Sequence, residues 1–179
     1  QEISLTDLEK ISSLKTPQEV IGLVKIPKWP LLNYNLLKNK FSLVLDGVQD
    51  PHNLGACLRS ADAAGVHAVI VPREHSAPLS AVARRAASGA VESIPVFQVV
   101  NLARTLRALK EAGIWLAGAS QDADTDIFHS DLRRPLALVA FTNEEGSRFP
   151  PYAMGSLVYV GGLALEDAYA IRGIDGATV

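Results

Sequence analysis

Residues 43–71, LVLDGVQDPHNLGACLRSADAAGVHAVIV, decide the fold. An apolar run over Phe41–Leu45 leads into a polar turn over 46–53, a helical pattern follows over Leu54–Ala64, and a second apolar run covers Val66–Val71. Strand, loop, helix and strand in this order predict a parallel βαβ unit. Because loops at the carboxyl ends of parallel strands bind ligands in such folds, the polar turn is the candidate site.

The same alternation continues along the chain. The predicted elements are strands over 94–99, 114–118 and 135–141 and helices over 80–88 and 101–112. Strands and helices that alternate at this spacing predict an α/β domain with a parallel sheet flanked by helices. We place this domain at 41–179.

Residues 1–40 form a lead arm or linker without a core of its own. A short helix is predicted over Ser4–Leu14, with Thr6 as its cap and Glu9 completing a capping box. Val20–Ile26 is apolar enough for a strand, and Pro27 ends it. Six lysines against four acidic residues make residues 1–41 mildly basic, which on charge alone indicates a solvated linker.

Composition narrows the functional class. With 179 residues, of which 48% are apolar, the chain is long enough for one globular domain. A net charge of −2 means that any nucleic-acid site must be a local patch. Cys57 is the only cysteine, so no internal disulfide forms. No apolar run is long enough to span a bilayer, and we expect a cytoplasmic protein.

The polar turn carries residues that can do chemistry. Asn53 can cap the following helix, Gly55 lets backbone approach closely, and Arg59 lies in the second helical turn. An arginine there can hold a phosphate bidentately or favour ionisation of a sugar hydroxyl. The spacing alone favours the simpler interpretation, a helix cap and a surface arginine.

The residues themselves are more specific than their spacing. DGVQDPHNLGACLRSADAAGVHAVIVP (46–72) resembles the first signature of the SpoU-type (TrmH-like) RNA ribose 2′-O-methyltransferases of the SPOUT superfamily, and the resemblance continues through SAPLSAVARRAASGAVESIPVFQVVNLARTLRALKEAGIWLAGA (76–119) to Leu138. KISSLKTPQEVIGLVKIPK (10–28) is similar to the end of that family's RNA-binding domain. The resemblance therefore covers about 1–139.

This resemblance implies an S-adenosylmethionine-dependent enzyme that methylates a ribose in ribosomal or transfer RNA, and it implies no role for DNA or a membrane. It also implies a homodimer and a carboxyl-terminal trefoil knot. Asn53 and Arg59 match the family's first-motif asparagine and catalytic arginine, and Glu145 or its neighbour Glu144 stands in for the glutamate of its second motif. The implied cofactor-binding residues are Phe141, Thr142, Asn143, Gly146, Val160, Gly161 and Leu163.

Residues 140–179 differ from the family pattern. AFTNEEGSRFPPYAMGSLVYVGGLALEDAYAIRGIDGATV resembles a segment of the zinc-dependent N-carbamoyl amino-acid hydrolases, which implies Glu144 as general base and Glu145 as metal ligand. A zinc site needs at least three protein ligands, and the four histidines show no ligand spacing. We therefore predict an acidic surface turn and no metal site.

Two alternatives to the methyltransferase follow from this disagreement. The first is a recombined or designed chimera that keeps the SPOUT-like fold without activity. The second is a fragment of a metal-dependent amidohydrolase. Methyl transfer from a sulfonium needs alignment and a deprotonated hydroxyl and no metal, so zinc dependence would separate the second alternative from the methyltransferase.

Overall fold

The computed structural model describes residues 2–12, 16, 18–23, 25–119, 129 and 134–140. Within them, the sheet consists of β1 (Phe41–Leu45), β2 (Ala68–Pro72), β3 (Val96–Val99), β4 (Trp115–Ala119) and β5 (Leu136–Ala140). The helices are α1 (Leu5–Ile11), α2 (Pro51–Ala63), α3 (Ala81–Ala87), α4 (Ala90–Ser93) and α5 (Leu102–Glu111), with a 3-10 helix over Tyr34–Leu37.

All neighbouring strands of the sheet are parallel, in the order β3-β2-β1-β5-β4. The α/β class and the parallel sheet predicted from the sequence are confirmed. The strand order was not predictable from local patterns. It places β1 in the centre and brings the carboxyl ends of β1 and β5 side by side, where open parallel sheets bind ligands.

Hydrophobic side chains cover both faces of this sheet. On one face, Leu45 packs with the apolar side of α2 and with α3 and α4. On the other face, Val44 packs with α5 and with the 3-10 helix. Adjacent residues of β1 enter opposite cores because side chains alternate along a strand, and a parallel sheet is apolar throughout because helices cover both of its faces.

The contact between α2 and α3 depends on Gly55. A β-carbon at this position would lie 2.5 Å from the carbonyl oxygen of Ala83, 2.5 Å from Cβ of Ala86 and 2.9 Å from the amide nitrogen of Ala87. The sequence predicted that Gly55 permits a close backbone approach, and the approaching backbone belongs to α3. The two helices lie closer together than any side chain at position 55 would allow.

Several local predictions were wrong. Ser4, rather than Thr6, caps α1, and its hydroxyl accepts a hydrogen bond from the Asp7 amide. No strand forms over the described residues 20–23 and 25–26. The helix predicted to start at Leu54 begins three residues earlier, at Pro51, because proline suits a first helical position, where no amide hydrogen bond is lost.

The lead arm contributes to the packing. Leu37 is buried in the core beside α5, and Leu32 and Tyr34 pack against the same cluster. The division of the chain into 1–40 and 41–179 stays a prediction, since residues 141–179 lie outside the described residues. No helix in the described part of the chain is both long enough and apolar enough to cross a membrane.

We expect Gly55→Ala to destabilise the protein. In an exposed helix this substitution stabilises by about 1 kcal/mol, but here the new methyl group meets two backbone atoms that cannot move aside without separating α2 from α3. Overpacking of this kind costs about 1–3 kcal/mol, so after the gain in helix propensity the free energy of unfolding, measured by urea denaturation, should fall by up to about 2 kcal/mol.

Gly22→Ala is the matched control for this substitution. A β-carbon on Gly22 would have no atom within 4 Å, so it should leave the urea midpoint nearly unchanged. An increase in the stability of Gly55→Ala would show that α2 and α3 are not packed as described.

Candidate functional site

Backbone hydrogen bonds hold together the carboxyl edge of the sheet. The Asp46 amide donates to the Ala140 carbonyl at 2.9 Å and ties the end of β1 to the end of β5. The Ala77 amide donates to the Val48 carbonyl at 2.8 Å and ties the loop after β2 to the loop after β1. Two loops and two strand ends therefore meet at one edge, and α2 begins there.

Asp50 caps α2. Its carboxylate accepts a hydrogen bond from the His52 amide at 3.0 Å, and Pro51 is the first helical residue. Asn53 had been predicted as the cap but lies inside the first turn, so this prediction was wrong. Asp50 takes the role because it directly precedes the proline. The Asn53 side chain is therefore not used in capping.

Asn53 and Arg59 are both exposed on α2. Six residues separate them, which corresponds to about 9 Å along the helix axis and about 120° around it. The sequence analysis predicted Arg59 in the second turn of the helix. This prediction was wrong, because α2 starts at Pro51 and Arg59 therefore lies in the third turn. Neither side chain has a hydrogen-bond or ion-pair partner among the described residues, so both are available to a ligand.

His52 shares the outward side of α2 with Arg59. The two residues are seven positions apart, so they lie about 20° from each other around the helix, two turns apart. Both are exposed, whereas Leu54, Leu58 and Ala61 turn into the core. The spacing of seven was visible in the sequence, although our prediction considered His52 only as a metal ligand.

Sequence reasoning missed the loop after β2, which carries Arg73, Glu74 and His75. All three side chains are exposed. The Arg73 amide donates to the Val99 carbonyl at 2.7 Å, so the loop begins at the carboxyl edge. The available signal was the position of charged residues directly after a buried strand.

Cys57 lies on α2 but is not suited to nucleophilic chemistry. It packs against the core between α2 and the sheet, and burial raises the pKa of its thiol. A raised pKa leaves less of the reactive thiolate near neutral pH.

No metal site is evident in the described part of the chain. Among those residues, no group of three or more histidine, cysteine or acidic residues could hold a metal ion.

Comparison with known families decides the assignment. The model of the SpoU rRNA Methylase family matches residues 40–146, more than half of the chain. The chain belongs to the SpoU rRNA methylase family. The match includes Asn53 and Arg59 and covers all five described strands, and it confirms the family predicted from the 46–72 signature.

Named relatives agree with this family membership. The chain is 57% identical over 112 residues to the 23S rRNA (guanosine-2′-O-)-methyltransferase RlmB of Yersinia pestis, covering 63% of this chain and 46% of that protein. RlmB of Escherichia coli is 56% identical over 112 residues, with the same coverage. The chain thus spans about half the length of the curated relatives it matches.

Solved structures of SpoU methyltransferases share the fold. AviRb from Streptomyces viridochromogenes, in complex with AdoMet, superimposes with a TM-score of 0.54 at 27% identity over 63% of this chain and 48% of its own. The AdoMet-bound rRNA methyltransferase from Sinorhizobium meliloti gives a TM-score of 0.54 at 28% identity over 62% of this chain and 43% of its own. The SPOUT-like fold class is confirmed.

The remaining predicted site residues lie outside the described residues. They are Glu145 and the cofactor residues Phe141, Thr142, Asn143, Gly146, Val160, Gly161 and Leu163, and the predicted knot falls on the same part of the chain. The family match extends to residue 146, past the point at which we expected the resemblance to end. None of the relatives named above supports a hydrolase segment or a chimera.

We expect Cys57 to react slowly with thiol reagents in the folded protein. At about pH 8 an ordinary thiol is partly ionised, and because burial raises the pKa of Cys57, a smaller fraction of it is thiolate. Alkylation by iodoacetamide at that pH should be several-fold slower in the native protein than in denaturing urea. Equal rates in the two conditions would show that the thiol is neither buried nor shifted.

Proposed function

We propose that this chain carries the catalytic part of an enzyme that methylates a ribose 2′-hydroxyl in ribosomal RNA, with S-adenosylmethionine as the methyl donor. The observation that carries the proposal is the pair Asn53 and Arg59. Both are exposed and unpartnered within the described part of the chain, and both lie on the helix that begins at the carboxyl edge of β1. The family membership and the names of its relatives support RNA as the substrate.

Arg59 has the chemistry that this reaction needs. Its guanidinium keeps its charge at any physiological pH and can hold a phosphate bidentately. A cation close to the ribose favours the ionised hydroxyl, which is the nucleophile of the transfer. The Asn53 amide can both donate and accept hydrogen bonds. Because α2 is rigid and packed on α3, both groups keep fixed directions toward the RNA.

S-adenosylmethionine, when bound, supplies an electrophilic methyl group on a sulfonium. The AviRb and Sinorhizobium meliloti enzymes were crystallised with AdoMet. In this chain we assign its binding to Phe141, Thr142, Asn143, Gly146, Val160, Gly161 and Leu163. Glycines and small polar residues fit an adenosyl group, since they let backbone amides and carbonyls reach a ligand. Glu145 completes the proposed catalytic set, and the trefoil knot of the family belongs to the same proposal.

We expect Arg59→Ala to abolish methyl transfer without unfolding the protein. The side chain is exposed and contacts no described partner, so its removal should change the free energy of unfolding by less than about 0.5 kcal/mol. Transfer of tritiated methyl groups from S-adenosylmethionine to 23S ribosomal RNA should fall by about 100-fold or more, the range expected for a positioned acid–base group.

Two controls make this result specific. Arg107→Ala removes the same group from the exposed side of α5, on the other face of the sheet, and should leave the rate unchanged. Arg59→Lys keeps the charge but loses the bidentate geometry, so it should recover only part of the rate. Full activity in Arg59→Ala would contradict the assignment, and zinc-dependent amide hydrolysis in place of methyl transfer would favour the amidohydrolase alternative.

We further propose that the protein is a cytoplasmic homodimer. Large apolar side chains are exposed away from the carboxyl edge, among them Leu36 in the 3-10 helix and Trp115 at the start of β4. Exposed apolar surface of this kind is a frequent mark of an interface, and closed two-fold dimers are the commonest oligomers. At micromolar concentration, sedimentation equilibrium should give twice the chain mass, and a monomer mass would count against the dimer.

A further inference from the structure

We infer that the loop after β2, from Arg73 to Ser76, binds the phosphate backbone of the substrate RNA, with Arg73 and His75 as its contact residues. This inference rests on the proposed function and extends it to residues outside the catalytic helix. Three features of the loop carry it: its attachment, its backbone conformation and its free charge.

The loop is attached at both ends to the edge where α2 begins. The Arg73 amide is bonded to the Val99 carbonyl at the end of β3, and the Ala77 amide is bonded to the Val48 carbonyl in the loop that leads to α2. The three residues between these bonds, 74–76, have little freedom to turn elsewhere. Arg73 and His75 are therefore presented at the edge of the sheet where α2, the helix of Asn53 and Arg59, begins.

His75 has a backbone conformation that histidine rarely adopts. Its φ is +59°, in the left-handed region that favours glycine. The described non-glycine residues hold one other positive φ, at Ser88, where α3 ends. At a helix end this conformation serves the cap, but His75 follows a strand and caps nothing. Residues held in sparsely populated backbone conformations cluster at active sites and ligand-binding sites. The conformation of His75 therefore supports a role for its side chain in binding a ligand.

Arg73 forms no salt bridge with a described residue, and the exposed carboxylate of its neighbour Glu74 is not bonded to it. Arg84 provides the contrast, because its guanidinium is bonded to the Glu92 carboxylate at 2.7 Å and so links α3 to α4. Arg73 is exposed and has no such partner within the described ranges. A guanidinium on an anchored loop binds phosphate oxygens with little loss of conformational freedom.

The hydroxyl oxygen of Ser76, at the end of the loop, is buried and has no hydrogen-bond partner among the described residues, so it is not exposed to a phosphate. The exposed guanidinium of Arg73 and imidazole of His75 make no hydrogen bond or ion pair with a described residue. Guanidinium and imidazole groups recognise phosphate and carry no base preference of their own. The loop would therefore position the RNA strand, while the selection of the target nucleotide belongs to other contacts.

The test measures RNA affinity against salt concentration with the full chain. The probe is a fluorescein-labelled RNA stem-loop with an unpaired guanosine, and binding is followed by anisotropy. Arg73→Ala should weaken binding by about tenfold, the loss expected for one charge-assisted hydrogen bond. It should also reduce the slope of log K against log salt by about one, because one phosphate contact is lost.

His75→Gly separates binding from folding. Glycine accepts the left-handed conformation, so this variant should melt at the same temperature as the wild type or higher, while its RNA affinity falls by a few-fold. Arg107→Ala, with the same loss of charge on α5, should keep both the affinity and the salt slope of the wild type. Affinity for S-adenosylmethionine should stay unchanged in all three variants.

The outcomes separate this inference from the proposed function. If the wild type binds and methylates RNA while Arg73→Ala and His75→Gly bind it equally well, the loop assignment is wrong and the proposed function stands. If Arg73→Ala also loses the cofactor, or if Arg107→Ala changes the salt slope as much, the phosphate contact is wrong. If the wild type binds no RNA, both proposals are overturned.

Discussion

The hydrogen-bonded position of β1 between β2 and β5 is the constraint on which the other features depend. Every residue of β5 pairs with a residue of β1, and β2 pairs with the other side of the same strand. Because β1 is central and its side chains enter both cores, its carboxyl end has one possible place in the fold. Leu45 is buried there, and six residues later, at Pro51, α2 begins with its polar side facing outward. The candidate site exists because this short loop leaves a buried strand and turns directly into a helix.

Local patterns predicted the elements but not their arrangement. The apolar run over Phe41–Leu45 and the stripe of Leu106 and Leu109 in α5 were readable, since each reports burial directly. Asn101 is of a residue type that favours helix caps, and its side chain accepts a hydrogen bond from the Arg104 amide. The position of β5 beside β1 was not readable, because strand order depends on contacts between residues that are almost a hundred positions apart in sequence.

The residues of the candidate site were likewise predicted only in part. Asn53 and Arg59 were found through a family resemblance, while their spacing alone favoured a cap and a surface arginine. Their positions in the helix differ by about one turn from those predicted, because α2 begins early, at Pro51. Asp50 caps the helix in place of Asn53. The loop of Arg73 and His75 was missed because a positive φ and two backbone tethers have no signature in the sequence.

Gly55 lies one helical turn before Arg59, on the side of α2 that touches α3. The contact therefore holds α2 against α3 one turn from Arg59, the proposed catalytic residue. If a helix tilts about one contact, the residues one turn away along its axis move as well. Errors of about 1 Å in catalytic geometry are enough to impair an enzyme. A residue with no side chain thus allows the close packing that holds the helix of the proposed catalytic arginine in place, and the alanines of α3 form the other half of that contact.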